Sequence, residues 1–463
     1  MLHNKQKKFN FNVKRKIFFK CTNCSNTTPK WVGCCPTCQE WNSLVEEKEK
    51  PANQFGSKRN SNSHKIILKR LDEIETETHN RMLSGVQEWD RVMGGGILPG
   101  SFIILTGDPG IGKSTLLLQI ADKISKSKKV IYFSSEESLQ QVKNRSDRLG
   151  ISHESNIFFS DQSNLEAIIQ IGIEEKPDIL ILDSIQNCSL SESSTVIPGT
   201  IGQLREAGFH LCKLAKENNI AILITGHITK EGHIAGPKVL EHLVDGVFYL
   251  QGEDKWQTRI LRSVKNRFGT IQETGFFELG IDGMQEVPDI NKLLLHEASD
   301  NPGSALISSI EGSRPLLLEL QSLCVTSKFG IPQRIITGID PKRVILIAAI
   351  LEKYLHIKLS SQDIFFKVSG GFKIKTTTSD LGIALALLSS YFQKPLPEKS
   401  ISIAEISLTG QIKPVNQIDM QIKEAEKFGI KQIFVSQSQK IKTSNKVIGF
   451  KNIYELVKLF PEN

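Results

Sequence analysis

The chain has 463 residues, with 58 Lys and Arg against 50 Asp and Glu, a formal net charge of +8 and a pI near 8.9. That length exceeds one ordinary core and predicts two or three domains, while the modest positive charge suits an anionic partner such as nucleic acid without requiring one. No apolar run approaches the roughly 18 residues of a membrane span, and the start MLHNKQKKFNFNVKRKIFFK lacks the apolar centre of a secretory signal, so a soluble, cytoplasmic protein with no membrane partner is expected.

In chain order, residues 1–20 form a tail with Lys5, Lys7, Lys8, Lys14, Arg15, Lys16 and Lys20 and no acidic side chain. Such a tail either touches phosphates or is simply solvated. Residues 21–45 hold five of the eight cysteines. Cys21 and Cys24 make one C-x₂-C pair, and Cys35 and Cys38 make a second if Cys35 and not Cys34 is its first member. Four thiolates at this spacing suit a closed tetrahedral Zn²⁺ site, because a cytoplasm disfavours disulfides and so short a segment has too little core to fold alone. Cys34, beside Cys35, is the ambiguity; whether the finger meets DNA or protein is open. Residues 46–65 are charged and then rich in Asn, Ser and Lys, which reads as a linker.

Across 66–284, short apolar strands (SFIILTG, KVIYFSS, DILILDS, IAILITGH) alternate with helical stretches (STLLLQIADKISK, LREAGFHLCKLAKE). This is the rhythm of an α/β domain with a mostly parallel, helix-covered sheet. After Pro288 the pattern becomes α+β, with helices expected near PKRVILIAAILEKYL, SDLGIALALLSSYF and IKEAEKFG, so 285–463 reads as a further domain.

The segment ILTGDPGIGKSTLLLQIA holds G-x-x-x-x-G-K-S between a strand and a helix, which is the setting of a P-loop. Gly107, Asp108, Pro109, Gly110, Ile111, Gly112, Lys113, Ser114 and Thr115 would cradle the phosphates of ATP, with Lys113 on the β- and γ-phosphates and Ser114 on Mg²⁺. Asp183, closing DILILDS, is placed to hold Mg²⁺ through water. YFSSEES offers Glu136 and Glu137 as the carboxylate that orients the attacking water; alignment with RecA-like strands favours Glu136.

SGVQEWDRVMGGGILPGSFIILTGDPGIGKSTLLLQ, YFSSEES, GHITKEGHIAGPKVLEHLVD and the distinctive KNRFG at Lys265–Gly269 resemble, in order and spacing, the bacterial RadA (Sms) recombination and DNA-repair family. The resemblance runs along nearly the whole chain. It implies a RecA-like P-loop ATPase core, an N-terminal four-cysteine zinc finger in which the family pattern K-W-V-G-x-C-P-x-C makes Cys35 and not Cys34 the ligand, and an α+β Lon-protease-like C-terminal domain. It also implies a DNA-dependent ATPase that couples hydrolysis to branch migration or unwinding on single-stranded and branched DNA, as a hexameric ring working with a RecA-type recombinase. Because RecA-like motors share ATP between subunits, Lys265 and Arg267 are expected to approach a neighbour's phosphates or DNA. By composition alone KNR would be an ordinary basic turn. The two DNA-channel loops map to Cys188–Gln203 and His227–His242, with Lys230 and Lys238 expected on the phosphate backbone. His227 is expected as a γ-phosphate sensor or a structural histidine. In the Lon-like part Thr378 falls at the serine nucleophile's position and Asp419 at the lysine's, which predicts a non-proteolytic domain.

Overall fold

The structure, a computed structural model, describes residues 17–21, 27–28, 30–38, 40–41, 44–48, 70, 80–151, 155–189, 199–227, 240–252, 258–328 and 330–461. The chain divides into two compact units, Met1–Glu77 and Thr78–Asn463. In the first, β1 (Ile17–Cys21), β2 (Thr27–Thr28) and β3 (Leu44–Lys48) pair antiparallel in the order β2-β1-β3. Among the described residues its buried cluster is Cys21, Cys35 and Leu44, with Phe19 and Cys38 packed against it, so thiols make up much of what these residues bury, which fits a fold completed by a metal. Most of the expected basic tail and linker lies outside the described residues.

The second unit opens with α1 (Gln87–Met93), β4 (Phe102–Gly107), α2 (Lys113–Ser125), β5 (Val130–Ser134), α3 (Leu139–Arg148), β6 (Ile157–Ser160) and α4 (Leu165–Glu175). It continues through β7 (Ile179–Asp183), α5 (Ile201–Asn218), β8 (Ala221–His227), β9 (Gly246–Gly252), β10 (Thr258–Asn266), β11 (Thr274–Gly280) and β12 (Gly283–Glu286). The strands form one sheet, ordered β12-β11-β10-β9-β4-β8-β7-β5-β6. It is parallel from β6 to β9 and an antiparallel meander from β9 to β12. Strands β4, β5 and β7 are buried at every position, as expected where helices cover both faces. Alternate residues of β4 supply the two halves of the core. Ile103 and Leu105 pack with Trp89 of α1 and Leu116 and Leu117 of α2, whereas Phe102 and Ile104 pack with Leu204 and Leu211 of α5. The helix expected at LREAGFHLCKLAKE begins three residues earlier, at Ile201, because Thr200 accepts the Gln203 N–H as an N-cap.

The remainder comprises α6 (Ile290–His296), β13 (Ser304–Glu311), β14 (Arg314–Thr326), β15 (Arg334–Thr337), α7 (Pro341–Leu355), β16 (Gln362–Val368) and α8 (Asp380–Phe392). After these come β17 (Ser400–Ile403), β18 (Glu405–Ile406), β19 (Ile412–Lys413), α9 (Ile418–Lys427), β20 (Gln432–Ser436) and β21 (Lys446–Phe450). Seven strands make a mixed sheet, β15-β16-β14-β13-β17-β20-β21. The three helices expected from the sequence appear as α7, α8 and α9. Helix α8 is apolar all round, with Leu381, Ile383, Leu385, Leu387 and Leu388 fully buried against the sheet, each side chain contributing about 1.5–3 kcal/mol. The α/β core and α+β C-terminal domain are therefore as read from the sequence. No helix among the described residues is long and apolar enough to cross a membrane.

Candidate active site

Strand β4 runs into the P-loop and the loop into α2, so the phosphate-binding segment sits at the carboxyl edge of the parallel sheet. There it can point backbone N–H groups and a helix N-terminus into the crevice. Two glycines make this possible. A Cβ on Gly107 would lie 2.2 Å from the Leu250 carbonyl oxygen of β9, and Gly112, the N-cap, has φ 108°, a left-handed conformation that side chains disfavour. Asp108, Pro109 and Gly110 are exposed at the tip, whereas Ile111, Lys113 and Thr115 are buried. The Lys113 Nζ donates to the carbonyl oxygens of Gly107 (2.9 Å) and Asp108 (3.0 Å). Burial lowers its pKa, while the charges of Asp183, Glu136 and Asp108 oppose that shift, which places three carboxylates around one ammonium.

Asp183 ends β7 and is 6% exposed. Each of its oxygens has a hydroxyl donor from a flanking strand: Tyr132 of β5 reaches Oδ2 at 2.8 Å and Thr225 of β8 reaches Oδ1 at 2.6 Å. Burial, with the adjacent Asp183, raises the Tyr132 phenol well above its usual range, so it remains a donor. Glu136, just past β5, accepts a hydrogen bond from the Ser184 hydroxyl. Ser135 clasps the same turn, donating to the Ser184 carbonyl at 2.7 Å and accepting its N–H at 2.9 Å. Glu137 is instead paired with Arg145 of α3. The structure thus brings Lys113, Asp183 and Glu136 together and turns Glu137 away. Tyr132, Thr225 and Ser184 were not found from the sequence, where a Tyr inside an apolar strand reads as core.

Lys265 and Arg267 stand elsewhere. Asn266 pairs with Gly246, and Gly246 with Ile103 near the start of β4. The P-loop begins four residues later along β4, about 13 Å at strand rise. Arg267 donates to Asp245 Oδ1 at 3.2 Å, and Lys265 to the carbonyl oxygens of Glu241 and Val244 (2.8 Å for the latter). Lys230, Lys238 and most of both expected DNA-channel loops fall outside the described residues, as does the His227 side chain.

In the N-terminal unit the thiols of Cys21, Cys35 and Cys38 lie within 4.8 Å of one another, and Cys21 and Cys38 are 3.6 Å apart. A tetrahedron of Zn–S bonds of about 2.3 Å has an edge of about 3.8 Å, so the three thiols fit Zn²⁺. Cys34 stands outside the cluster, its thiol directed at the Cys35 carbonyl. Cys24 lies outside the described residues. In the C-terminal domain Thr378 borders a cleft of about 440 Å³ shared with Thr376, Glu405, Asn416 and Gln417; no lysine lines it, and Lys413, Asp419 and Lys423 are exposed.

Family models match three segments: a rubredoxin metal-binding domain at 19–46, an AAA domain at 68–233 and subunit ChlI of Mg-chelatase at 338–439. Among solved structures, the chain is similar to the RadB recombinase (TM-score 0.36, 20% identity, 44% of this chain and 99% of that one). It is also similar to a KaiC-like protein of Pyrococcus horikoshii (TM-score 0.38, 21% identity, 45% and 99%). The cysteine cluster and the P-loop crevice are those of a zinc-binding ATPase that uses ATP and Mg²⁺. The chain is 41% identical to the DNA repair protein RadA of Listeria monocytogenes over 96% of its length and 98% of that protein's. To that of Streptococcus pyogenes it is 43% identical (92% and 94%), and to that of Aquifex aeolicus 41% (92% and 95%). With such coverage from end to end, the chain belongs to the RadA family of DNA repair proteins.

Proposed function

We propose that this protein is a DNA-dependent ATPase that processes recombination intermediates, coupling hydrolysis to branch migration or unwinding on single-stranded DNA. In this reading Lys113 and Ser114 hold the phosphates and Mg²⁺, Asp183 orients the Mg²⁺ shell, and Glu136 positions the attacking water. Mg²⁺ supplies charge neutralisation between the phosphates. The carrying observation is the separation of Lys265 and Arg267 from their own P-loop along β4, β9 and β10. Cations so far along the sheet from their own crevice are suited to a neighbour's. That favours a closed ring of identical subunits, for which six is our assignment, acting with a RecA-type recombinase on single-stranded and branched DNA.

The working division is a tail at 1–20, a zinc finger at 21–45, a linker at 46–65, an ATPase domain at 66–284 and a Lon-like domain at 285–463. Lys230 and Lys238 are assigned to the DNA backbone. The Lon-like domain is assigned to assembly and not to proteolysis, a reading supported by the lysine-free cleft at Thr378. The test is ATP hydrolysis with and without single-stranded DNA across a range of salt. Stimulation that weakens as salt rises is expected. An unchanged rate, or peptide cleavage lost in Thr378→Ala, would defeat the proposal.

A further inference from the structure

The metal-binding unit leaves its largest apolar side chains in solvent. Trp31 is 55% exposed and Trp41 75% exposed, whereas the cluster buried among the described residues is Cys21, Cys35 and Leu44. An indole is ordinarily one of the more buried side chains of a domain. Two indoles held outside the cluster of a unit this small add nothing to its core and are left to meet a ligand.

Both are mounted on backbone that the cysteines organise. Trp41 bridges antiparallel to Cys34, and the Cys35 N–H donates to the Glu40 carbonyl at 3.0 Å, so the second indole rides on the turn that carries Cys35 and Cys38. The Thr28 hydroxyl donates to the Lys30 carbonyl at 2.9 Å and closes the chain just ahead of Trp31. Gly33 lies at both rings: a Cβ there would be 3.7 Å from the Trp41 ring and 4.0 Å from that of Trp31. Two aromatic rings thus meet at a residue without a side chain, a platform open to another flat ring.

Charge says which kind of flat ring. Residues 1–45 hold eight Lys and Arg against one acidic residue, Glu40, so they carry +7 of the chain's net +8 and the other 418 residues are close to neutral. A Zn²⁺ held by four thiolates would subtract two and leave +5. Lys30, beside Trp31, is exposed. A cationic segment that presents paired aromatics suits a polyanion of flat bases, because charge attracts the backbone and every base has a face to stack.

We propose that Trp31 and Trp41 form a contact for single-stranded DNA separate from the ATPase core, in which bases stack on the indoles and the positive charge of this segment draws the phosphates. This rests on the reading of the protein as one that works on single-stranded DNA, and the experiment separates the two.

Binding of a labelled oligothymidylate of about 20 nucleotides, and of an abasic oligomer with the same number of phosphates, is followed by fluorescence anisotropy on the full chain. The variants are Trp31→Leu, Trp41→Leu, their combination, and Trp31→Phe and Trp41→Phe, each with its zinc content measured. Each leucine variant should raise the Kd for oligothymidylate roughly 5- to 100-fold, each phenylalanine variant should lie closer to wild type because a ring remains, and binding of the abasic oligomer should change by less than about twofold. Wild-type Kd in the double leucine variant with zinc retained would overturn the proposal and leave the indoles to a protein partner. So would phenylalanine variants no better than leucine, or an equal loss on the abasic oligomer. Should the leucine variants lose zinc, the wild-type chain decides: irradiation with an oligothymidylate carrying 5-iodouracil should cross-link at Trp31 or Trp41, and the absence of a cross-link at both would overturn the stacking. ATP hydrolysis by the wild type with and without oligothymidylate is recorded alongside. An unstimulated rate would defeat the DNA-dependent ATPase and not the contact at the indoles, which the Kd values and cross-links report independently.

Discussion

Replacing Tyr132 by Phe removes one oxygen from the protein, and the structure says where its loss is felt. The phenol lies 2% exposed in β5, packed against Phe159 with ring centroids 5.6 Å apart, and its hydroxyl reaches Asp183 at 2.8 Å. Phenylalanine keeps the ring and the packing, so the loss to the fold should be confined to that hydrogen bond, about 1.5–3 kcal/mol. Phenylalanine offers no donor in its place, and the phenol oxygen's position is buried. A hydrogen bond to a charged group contributes about 1.5–3 kcal/mol, which at about 1.4 kcal/mol per decade is roughly a 10- to 100-fold effect on whatever depends on that carboxylate's orientation. Thr225→Val removes the donor to the other oxygen and should act similarly. Because both serve one carboxylate, the double variant should cost less than the sum. The assay is ATP hydrolysis against Mg²⁺ concentration at saturating ATP. Tyr132→Phe should lower kcat and raise the Mg²⁺ concentration giving half-maximal rate, with partial recovery at high Mg²⁺. Wild-type kcat and Mg²⁺ dependence in both single variants would show that Asp183 does not hold the ion, or that its two hydroxyl partners are incidental.

Lys113→Ala should abolish turnover, at a cost of several kcal/mol in barrier, while melting near the wild-type temperature, because the ammonium sits among the loop carbonyls of Gly107 and Asp108 and not in the apolar core; calorimetry and a phosphate-release assay check both halves. Cys34→Ser should retain one Zn²⁺ per chain and Cys35→Ser should lose it, read by metal analysis after gel filtration. Arg314→Met should destabilise the second unit by about 1–3 kcal/mol above neutral pH, since the Glu88 carboxylate, 1% exposed at the side chain, would keep only Arg91 at 3.1 Å and the Phe276 N–H as partners. Burial raises the Glu88 pKa above 4.5, so the folded state binds more protons than the unfolded one between the two values, and the cost of the charge is fully present only above the raised value. Denaturation midpoints across pH should therefore show the deficit of Arg314→Met shrinking as pH falls through that window.

What the sequence disclosed and what it hid follow from locality. The P-loop was legible because its chemistry is contiguous: strand, glycines, Lys113 and helix occur in one stretch, and the backbone geometry demands those residue types. The place of Asp183 beside the P-loop was legible because an apolar strand ends on a carboxylate. The choice of Cys35 over Cys34 came from the family pattern and matches the thiol cluster. Tyr132, Thr225 and Ser184 were illegible because their roles arise only when β5, β7 and β8 lie side by side, in an order that the chain visits as β5, β7, β8 but closes around β4. Nothing in YFSS distinguishes a core tyrosine from one that bonds a carboxylate two strands' width from the P-loop. Asp245 was illegible for the same reason, since its partners Phe102, Lys216 and Arg267 come from three separate segments.

The C-terminal domain is joined to the ATPase core through residues equally far apart in the chain. Arg314, the first residue of β14, donates to Glu88 Oε2 at 2.8 Å, and its guanidinium lies 4.9 Å from the centre of the Phe276 ring on β11. The same Glu88 oxygen accepts the Phe276 N–H at 2.9 Å, so one carboxylate joins α1, β11 and the C-terminal sheet. The far end of α1 is held by the KNRFG segment: the Asn266 amide donates to the carbonyls of Val92 and Met93 at 3.3 Å each. Arg81, ahead of the helix, donates to the Phe268 carbonyl at 2.7 Å. A seven-residue helix is about 10 Å long and is rigid at that length. Displacing β14 relative to the core would therefore have to move α1 or break the Glu88 contacts, and moving α1 would disturb the backbone that carries Arg267. The C-terminal domain and Arg267 share one short helix as a common support.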